Sequence, residues 1–290
     1  MESVVTIGVF DGVHRGHQSV IQHTLEQAQQ RAARAIVLTF EPNPLEVLRP
    51  DHAPTRLCSL ARRVELIKAL GDVDVEVLRF DTALSQVSAQ DFITDILQGQ
   101  LQARAVVVGE GFRFGHKAAG TTQTLQEAGL DVVEYGLVGD DQPVSSTRVR
   151  AAVAEGDVGT AATMLGRPHE VEGVVVAGEK RGRDLGYPTA NVEHHQLAAV
   201  PADGIYAGTT VIAGEQHAAA ISVGTNPTFE AEHRTLESYL LDFDGDLYGA
   251  SVRVTFSKRL RGMVAFDGVD ALVAQMAQDV AATRRMMDAM

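Results

Sequence analysis

The hydrophobic period changes once along the chain, and that change limits the architecture more than any single motif. Up to about residue 165, short β-branched runs alternate with stretches whose apolar residues recur every three or four positions. Residues 4–10 and 35–40 read as strands, and between them Val20, Ile21, Leu25, Ala28 and Ala32 trace one helical face. The alternation continues with helices at 60–70, at 89–97 (opened by a Ser88/Asp91 capping box) and at 125–128. Strands at 73–77, 104–108 and 131–134 separate them. Such alternation predicts a parallel sheet covered on both faces, with ligands at the carboxyl ends of its strands. After Gly166-Arg167-Pro168 the strands at 171–176, 205–212, 218–223, 236–243 and 252–256 are separated by Gly, Pro and Asp turns. One helix follows, at 269–286. Closely spaced strands without helices predict a small antiparallel β-barrel. The expected plan is an α/β Rossmann-like domain over residues 1–165 and a barrel with a C-terminal helix over 166–290.

A length of 290 residues agrees with two domains. The net charge of −13 is shared as −7 before residue 166 and −6 from there on. Neither half would be drawn to nucleic acid or an anionic membrane by bulk charge, so any phosphate must be held by local groups. The single cysteine, Cys58, excludes an internal disulfide, suits a reducing compartment and reads as packing. No apolar run approaches the ~18 residues of a membrane span, and no basic-then-apolar leader precedes the first strand. A cytoplasmic protein is expected.

The sharpest local signal is TIGVFDGVHRGHQ, residues 6–18. A strand gives way to an Asp11-Gly12 turn and a helix opens near His14, so His14 and His17 share one face of its first turn. Free backbone N–H groups and the positive helix end make this a place for a polyphosphate. Zinc is disfavoured, because HRGH lacks the HExxH pattern and no third ligand is evident. Coincidental surface histidines remain open on spacing alone. The segment resembles the HxGH signature of the nucleotidyltransferase superfamily. FDGVHRGH in particular resembles the adenylyltransferase domain of bacterial bifunctional riboflavin kinase/FAD synthetases.

Read with that resemblance, other segments fall into order. SSTRVR, residues 145–150, is an ordinary helix cap by itself; in the family the matching segment wraps the ATP phosphates, which implies Ser146, Thr147 and Arg148 as donors. The resemblance extends the phosphate site to Gly8, Phe10, Asp11 and Gly12. VVVGEGFRFGHKAAGTTQTL, residues 106–125, is not a GxGxxG fingerprint but matches the family, implying flavin contacts at Gly111 and Phe112. The family usually has Asp or Asn where this chain has Gly111, and commonly TFEPHP where this chain has TFEPNP, so Asn43 replaces a histidine at a position that the resemblance also implies in flavin binding.

In the second half, GRDLGYPTANV, residues 182–192, lacks the ending of a P-loop and reads unaided as a loop entering a strand. It resembles the flavokinase motif, which implies phosphate contacts at Gly182 and Gly186, and Mg²⁺ with ATP phosphates at Thr189 and Asn191. In TLESYLLDFDGDLYG, residues 235–249, the alternation places Glu237 on a strand face, ordinarily a solvated position; the resemblance makes it the general base for the ribityl 5′-hydroxyl. Asp242, Asp244 and Asp246 do not form an EF-hand, because the sixth and twelfth positions are Leu247 and Arg253. Asp244-Gly245 reads as a tight hairpin turn. VGTNPTF, residues 223–229, borders the implied site, and Arg261 and Phe266 are implied to close over flavin, although the acidic residue that follows the Arg in the family is Gly262-Met263 here. His194 and His195 fall in an expected loop. The resemblance implies conversion of riboflavin to FMN and FMN to FAD, with ATP, ADP, pyrophosphate and Mg²⁺ as partners. One alternative is a kinase whose adenylyltransferase half is weakened by Gly111 and Asn43. Another is a non-catalytic flavin- or nucleotide-binding regulator.

Overall fold

The structure is a computed structural model and describes residues 1–136, 143–178, 182, 185–225 and 234–289. The chain divides into two compact units, residues 1–54 with 59–145, and residues 55–58 with 146–290.

In the first unit β1 (Ser3–Ile7), α1 (Arg15–Gln30), β2 (Arg34–Glu41), α2 (Pro44–Leu48), α3 (Leu60–Lys68) and β3 (Asp74–Arg79) follow in order. Then come α4 (Thr82–Ser85), α5 (Ala89–Asp91), a π-helix at Phe92–Gln100, β4 (Ala103–Gly109), α6 (Thr122–Glu127) and β5 (Asp131–Tyr135). The strands lie parallel in the order β3-β2-β1-β4-β5. Strand alternation divides their side chains between two cores. Val5, Ile7, Ile36, Leu38, Val106 and Val108 pack with the π-helix on one face, while Val4, Ala35, Val37, Ala105 and Val107 pack with Ile21 and Ala28 of α1 on the other. A sheet buried on both faces explains why its inner strands read as continuous apolar runs.

The expected helix at 89–97 is instead one α-turn running into the π-helix. Ser88 Oγ accepts from Asp91 N at 3.0 Å and donates to the Asp91 carboxylate at 2.7 Å, so the cap is present although the helix changes type behind it. β1 ends three residues before the expected limit, because Phe10 (φ 52°), Gly12 (φ 77°) and Val13 (φ 41°) turn into the left-handed region.

In the second unit α7 (Ser146–Glu155) and α8 (Val158–Leu165) precede β6 (His169–Val176), β7 (Ala190–His194), β8 (Gly204–Ile212) and β9 (Glu215–Thr225). β10 (Arg234–Leu240), β11 (Ser251–Arg261) and α9 (Val269–Asp288) complete it. Six antiparallel strands close a barrel in the order β10-β7-β6-β11-β8-β9, filled by Tyr206, Phe256, Ile221 and Val254, with Val158 of α8 in the same core. α8 was not foreseen, and its contribution to the barrel core attaches residues 146–165 to this unit rather than to the first. Two further expectations are corrected. His194 closes β7 instead of lying in a loop. Asp244-Gly245 do not form a tight hairpin, because β10 ends at Leu240 and neighbours β7 and β9, not β11. Asp242 at φ 56° turns the chain out of the barrel there.

Candidate active sites

In the first unit the strand order reverses between β1 and β4, and the crevice beyond their carboxyl ends is where such sheets hold ligands. The β1–α1 turn stands at that edge. Asp11 is buried, and the left-handed Phe10 and Val13 are an uncommon conformation, for a β-branched residue especially. The turn delivers His14 as the N-cap of α1, with its Nδ1 accepting from His17 N at 3.3 Å. The two imidazoles stack with centroids 3.6 Å apart, and the Phe10 ring meets His17 edge-on at 5.1 Å. Gly8 and Gly16 make room for these rings, since a Cβ would come within 3.2 Å of Phe10 and 3.1 Å of His14. No acidic residue lies in the first turn of α1, at the positive end of the helix. The chain approaching Ser146 runs past this turn, with Val144 O 3.6 Å from a Cβ placed on Gly16. Ser146, Thr147 and Arg148 themselves open α7 in the second unit.

Beside the turn lies a cavity of about 660 Å³ lined by Gly8, Phe40, Phe80, Phe92, Phe112 and Phe114, with Arg113, His116 and Lys117 among the polar groups. Aromatic residues are 5% of the chain, yet five of its ten phenylalanines converge here, a concentration suited to a flat aromatic ligand. Only Phe112 of these was expected. A signal for the others existed, because Phe40, Phe80, Phe112 and Phe114 all fall at or just beyond the carboxyl end of a strand. Asn43 does not line the cavity; its Oδ1 caps α2, accepting from Leu45 N at 3.0 Å. Gly111 adopts φ 73°, and no atom lies within 4 Å of where its Cβ would stand.

The second site is built on strand register. Glu237 of β10 lies opposite Asn191 of β7 and Ser222 of β9. Leu236, Ser238 and Leu240 of the same strand are buried in the barrel, leaving Glu237 and Tyr239 on the opposite face. Thr189 Oγ1 donates to Glu237 Oε2 at 3.1 Å. Thr189, Glu237, Tyr187, Tyr239, Ser222, Met276 and Asp279 line a cavity of about 70 Å³, with the two tyrosine rings edge-to-face at 5.4 Å. The loop before Thr189 is drawn together by Gly182, whose carbonyl accepts from Leu185 N at 3.1 Å and Tyr187 N at 2.8 Å. At Gly178 a Cβ would collide with the Asn191 amide, so the glycine lets that side chain stand where it does. Gly186 is left-handed at φ 84°. Arg183 and Asp184 of this motif, and residues 226–229 of VGTNPTF, lie outside the described residues.

Arg261 ends β11 with its guanidinium on Asp279 of α9, at 3.0 Å from Nε and 2.6 Å from Nη2, and 5.8 Å from the centre of the Phe266 ring. Asp279 escaped the sequence reading. Its signal is an acid within the helical row Met276, Asp279, Val280 and Thr283, a row whose members line the cavity or are buried. Among the described residues no cluster of three or more His, Cys, Asp or Glu could hold a metal ion.

Residues 1–148 match the family described as FAD synthetase, and residues 165–287 match the one described as riboflavin kinase. The bifunctional riboflavin kinase/FMN adenylyltransferase of Escherichia coli K12 is 38% identical over 285 residues, covering 95% of this chain and 90% of that protein. Its namesake from Bacillus subtilis is 34% identical over 287 residues, covering 96% and 90%. The chain belongs to the bifunctional riboflavin kinase/FMN adenylyltransferase family. A crystal structure described as a macrolide-efflux protein from Streptococcus pneumoniae also superposes on this family member, with a TM-score of 0.90 and 34% identity over 98% of this chain and 94% of that one. Among the described residues of this chain, no helix is long and apolar enough to cross a membrane.

Proposed function

We propose that this chain phosphorylates riboflavin to FMN with ATP in its barrel domain. Its α/β domain then converts FMN to FAD. The contact between Thr189 and Glu237, with Asn191 opposite in register, carries the kinase reading. Glu237 takes the proton of the ribityl 5′-hydroxyl as that oxygen attacks the γ-phosphorus and ADP departs. Thr189 Oγ1 and the Asn191 amide oxygen are hard oxygen donors beside a carboxylate. That set fits Mg²⁺, which keeps most of its shell for water and phosphate and so needs few protein ligands. Bound with ATP, Mg²⁺ would neutralise developing phosphate charge. Gly182 and Gly186 shape the loop that would lie along the phosphates, and Arg261, oriented by Asp279, would meet the flavin beside Phe266.

Adenylyl transfer needs no protein nucleophile. An FMN phosphate oxygen attacks the α-phosphorus of ATP and the bond to pyrophosphate breaks. His14, His17 and the α1 N-terminus would stabilise the charge, with Phe112 and its neighbours holding the isoalloxazine. The departures at Gly111 and Asn43 are compatible with activity. Gly111 stands in the left-handed region, which Asp and Asn also tolerate better than other side chains, and Asn43 is engaged as a cap. A binding protein without turnover would have no use for a carboxylate against a metal-binding hydroxyl. A cytoplasmic location suits these substrates.

Incubation with riboflavin and Mg-ATP, followed by chromatography of the flavins over time, tests this. FMN followed by FAD is expected. FMN alone would mean a disabled adenylyltransferase half, and unchanged riboflavin a non-catalytic binder.

A further inference from the structure

Arg63 of α3 is 2% exposed, yet none of the motifs includes it. Its Nη1 donates to Val9 O at 3.1 Å, Phe40 O at 3.0 Å and Thr39 Oγ1 at 3.3 Å, and its Nη2 meets Glu41 Oε2 at 3.1 Å. All four acceptors stand at the carboxyl edge of β1 and β2, where the sheet meets its ligands. We propose that Arg63 is a positioning residue for adenylyl transfer, holding the histidine turn and the phenylalanine cavity in one geometry; this rests on the adenylyltransferase reading above.

The link to the histidines runs through Val9. Its carbonyl receives Arg63 and also Thr39 Oγ1 at 2.9 Å, which fixes the peptide plane immediately before the left-handed Phe10. Phe10 in turn sets its ring edge against His17. Strained residues such as Phe10 and Val13 persist only where the surroundings over-determine them, and two donors on one carbonyl supply that. The link to the cavity runs through Phe40, whose carbonyl is held by the same guanidinium nitrogen while its ring forms the wall. Stability alone is a weak reason for this arrangement. A buried guanidinium is costly to desolvate, and apolar side chains in place of a whole buried ion pair often hold a fold as well or better. What an apolar residue cannot do is fix the directions of Val9, Phe40 and Glu41 together, as a planar fork of donors does.

The test is made on the full chain. In Arg63→Met, kcat for FAD formation from supplied FMN should fall about 10–100-fold, the size expected when reacting groups are misplaced by about 1 Å. FMN formation from riboflavin by the same molecules should stay near wild type. Hydrogen exchange should quicken at residues 8–14 while the amides of β1, β2 and β4 keep their protection. Arg63→Lys, which keeps the charge but not the fork, should fall between the two, and it decides the matter if the Met variant does not fold. Near-wild-type kcat per folded molecule in either folded variant overturns the proposal. So does a loss of kcat matched by lost protection across the whole sheet, which marks a merely structural role. Wild-type chain that makes no FAD is seen before any substitution; it overturns the adenylyltransferase reading itself, and this proposal with it.

Discussion

The two units would address phosphates through opposite kinds of backbone. In the first, the groups that would meet ATP stand on a turn in which Phe10, Gly12 and Val13 are left-handed, and the helix behind it is capped by a histidine. In the second, they stand on regular antiparallel strands, where the register of Glu237 with Asn191 brings a carboxylate and an amide together. Even the caps differ. Asp157 caps α8 through Thr160 N at 2.9 Å, a good structural cap. An aspartate in place of His14 would set a negative charge where the proposed function puts an anion. A turn-built site trades local regularity for convergent N–H groups, while a strand-built site gains its geometry from pairing that the barrel requires anyway.

The sharpest way to break this contrast is to disable one side and watch the other. Glu237→Gln should slow FMN formation by about 10²–10⁴-fold, as loss of a general base does, while supplied FMN is still adenylylated. Normal FMN formation would remove Glu237 from its role. His17→Ala should slow FAD formation by about 10²–10³-fold, the scale of losing one preorganised charge-stabilising donor, and leave FMN formation unchanged. A smaller effect probes the backbone requirement. Gly111→Val should destabilise the first unit by about 1–2 kcal/mol in thermal or denaturant unfolding, because a β-branched residue resists φ 73°. Gly111→Asn, with open space for its Cβ, should keep both stability and FAD synthesis.

The smallest effect concerns the structural cap. Asp157→Ala should cost about 1 kcal/mol at neutral pH. Hydrogen bonds from Thr160 hold the Asp157 carboxyl below its ordinary value of 3.8. A depressed folded-state value means the contribution is present above pH ~4 and is lost as pH falls through the folded value. The stability gap between Asp157→Ala and wild type should therefore shrink in acid and hold at pH 6–8, as measured by urea midpoints.

The same contrast explains what was legible in the sequence. Period-2 alternation placed Glu237 on its face, because a strand lays out neighbours mechanically. Its partner strand β7 is short and carries Asn191, Glu193 and His194, so polarity concealed its pairing and His194 read as loop. The first turn was harder still. The Asp11-Gly12 turn was legible, but Val9 and Phe10 look like more strand, and only conformation reveals that the chain has already left the sheet after Ile7. Arg63 and Asp279 were passed over for a different reason. A charged residue in a helix ordinarily faces solvent, and only tertiary packing turned these two inward. Asp244-Gly245 misled in the reverse direction, since a sound turn signal cannot say which strands it joins.

That the two chemistries run independently of each other is tested most directly by mixing. Glu237→Gln and His17→Ala chains are each given riboflavin and Mg-ATP, alone and then together, and the flavins are followed over time. Neither chain alone should make FAD at an appreciable rate, whereas the mixture should, because FMN released by the His17→Ala chain is adenylylated by the Glu237→Gln chain. FAD from either chain alone at the wild-type rate, or a mixture that stops at FMN, would contradict the account.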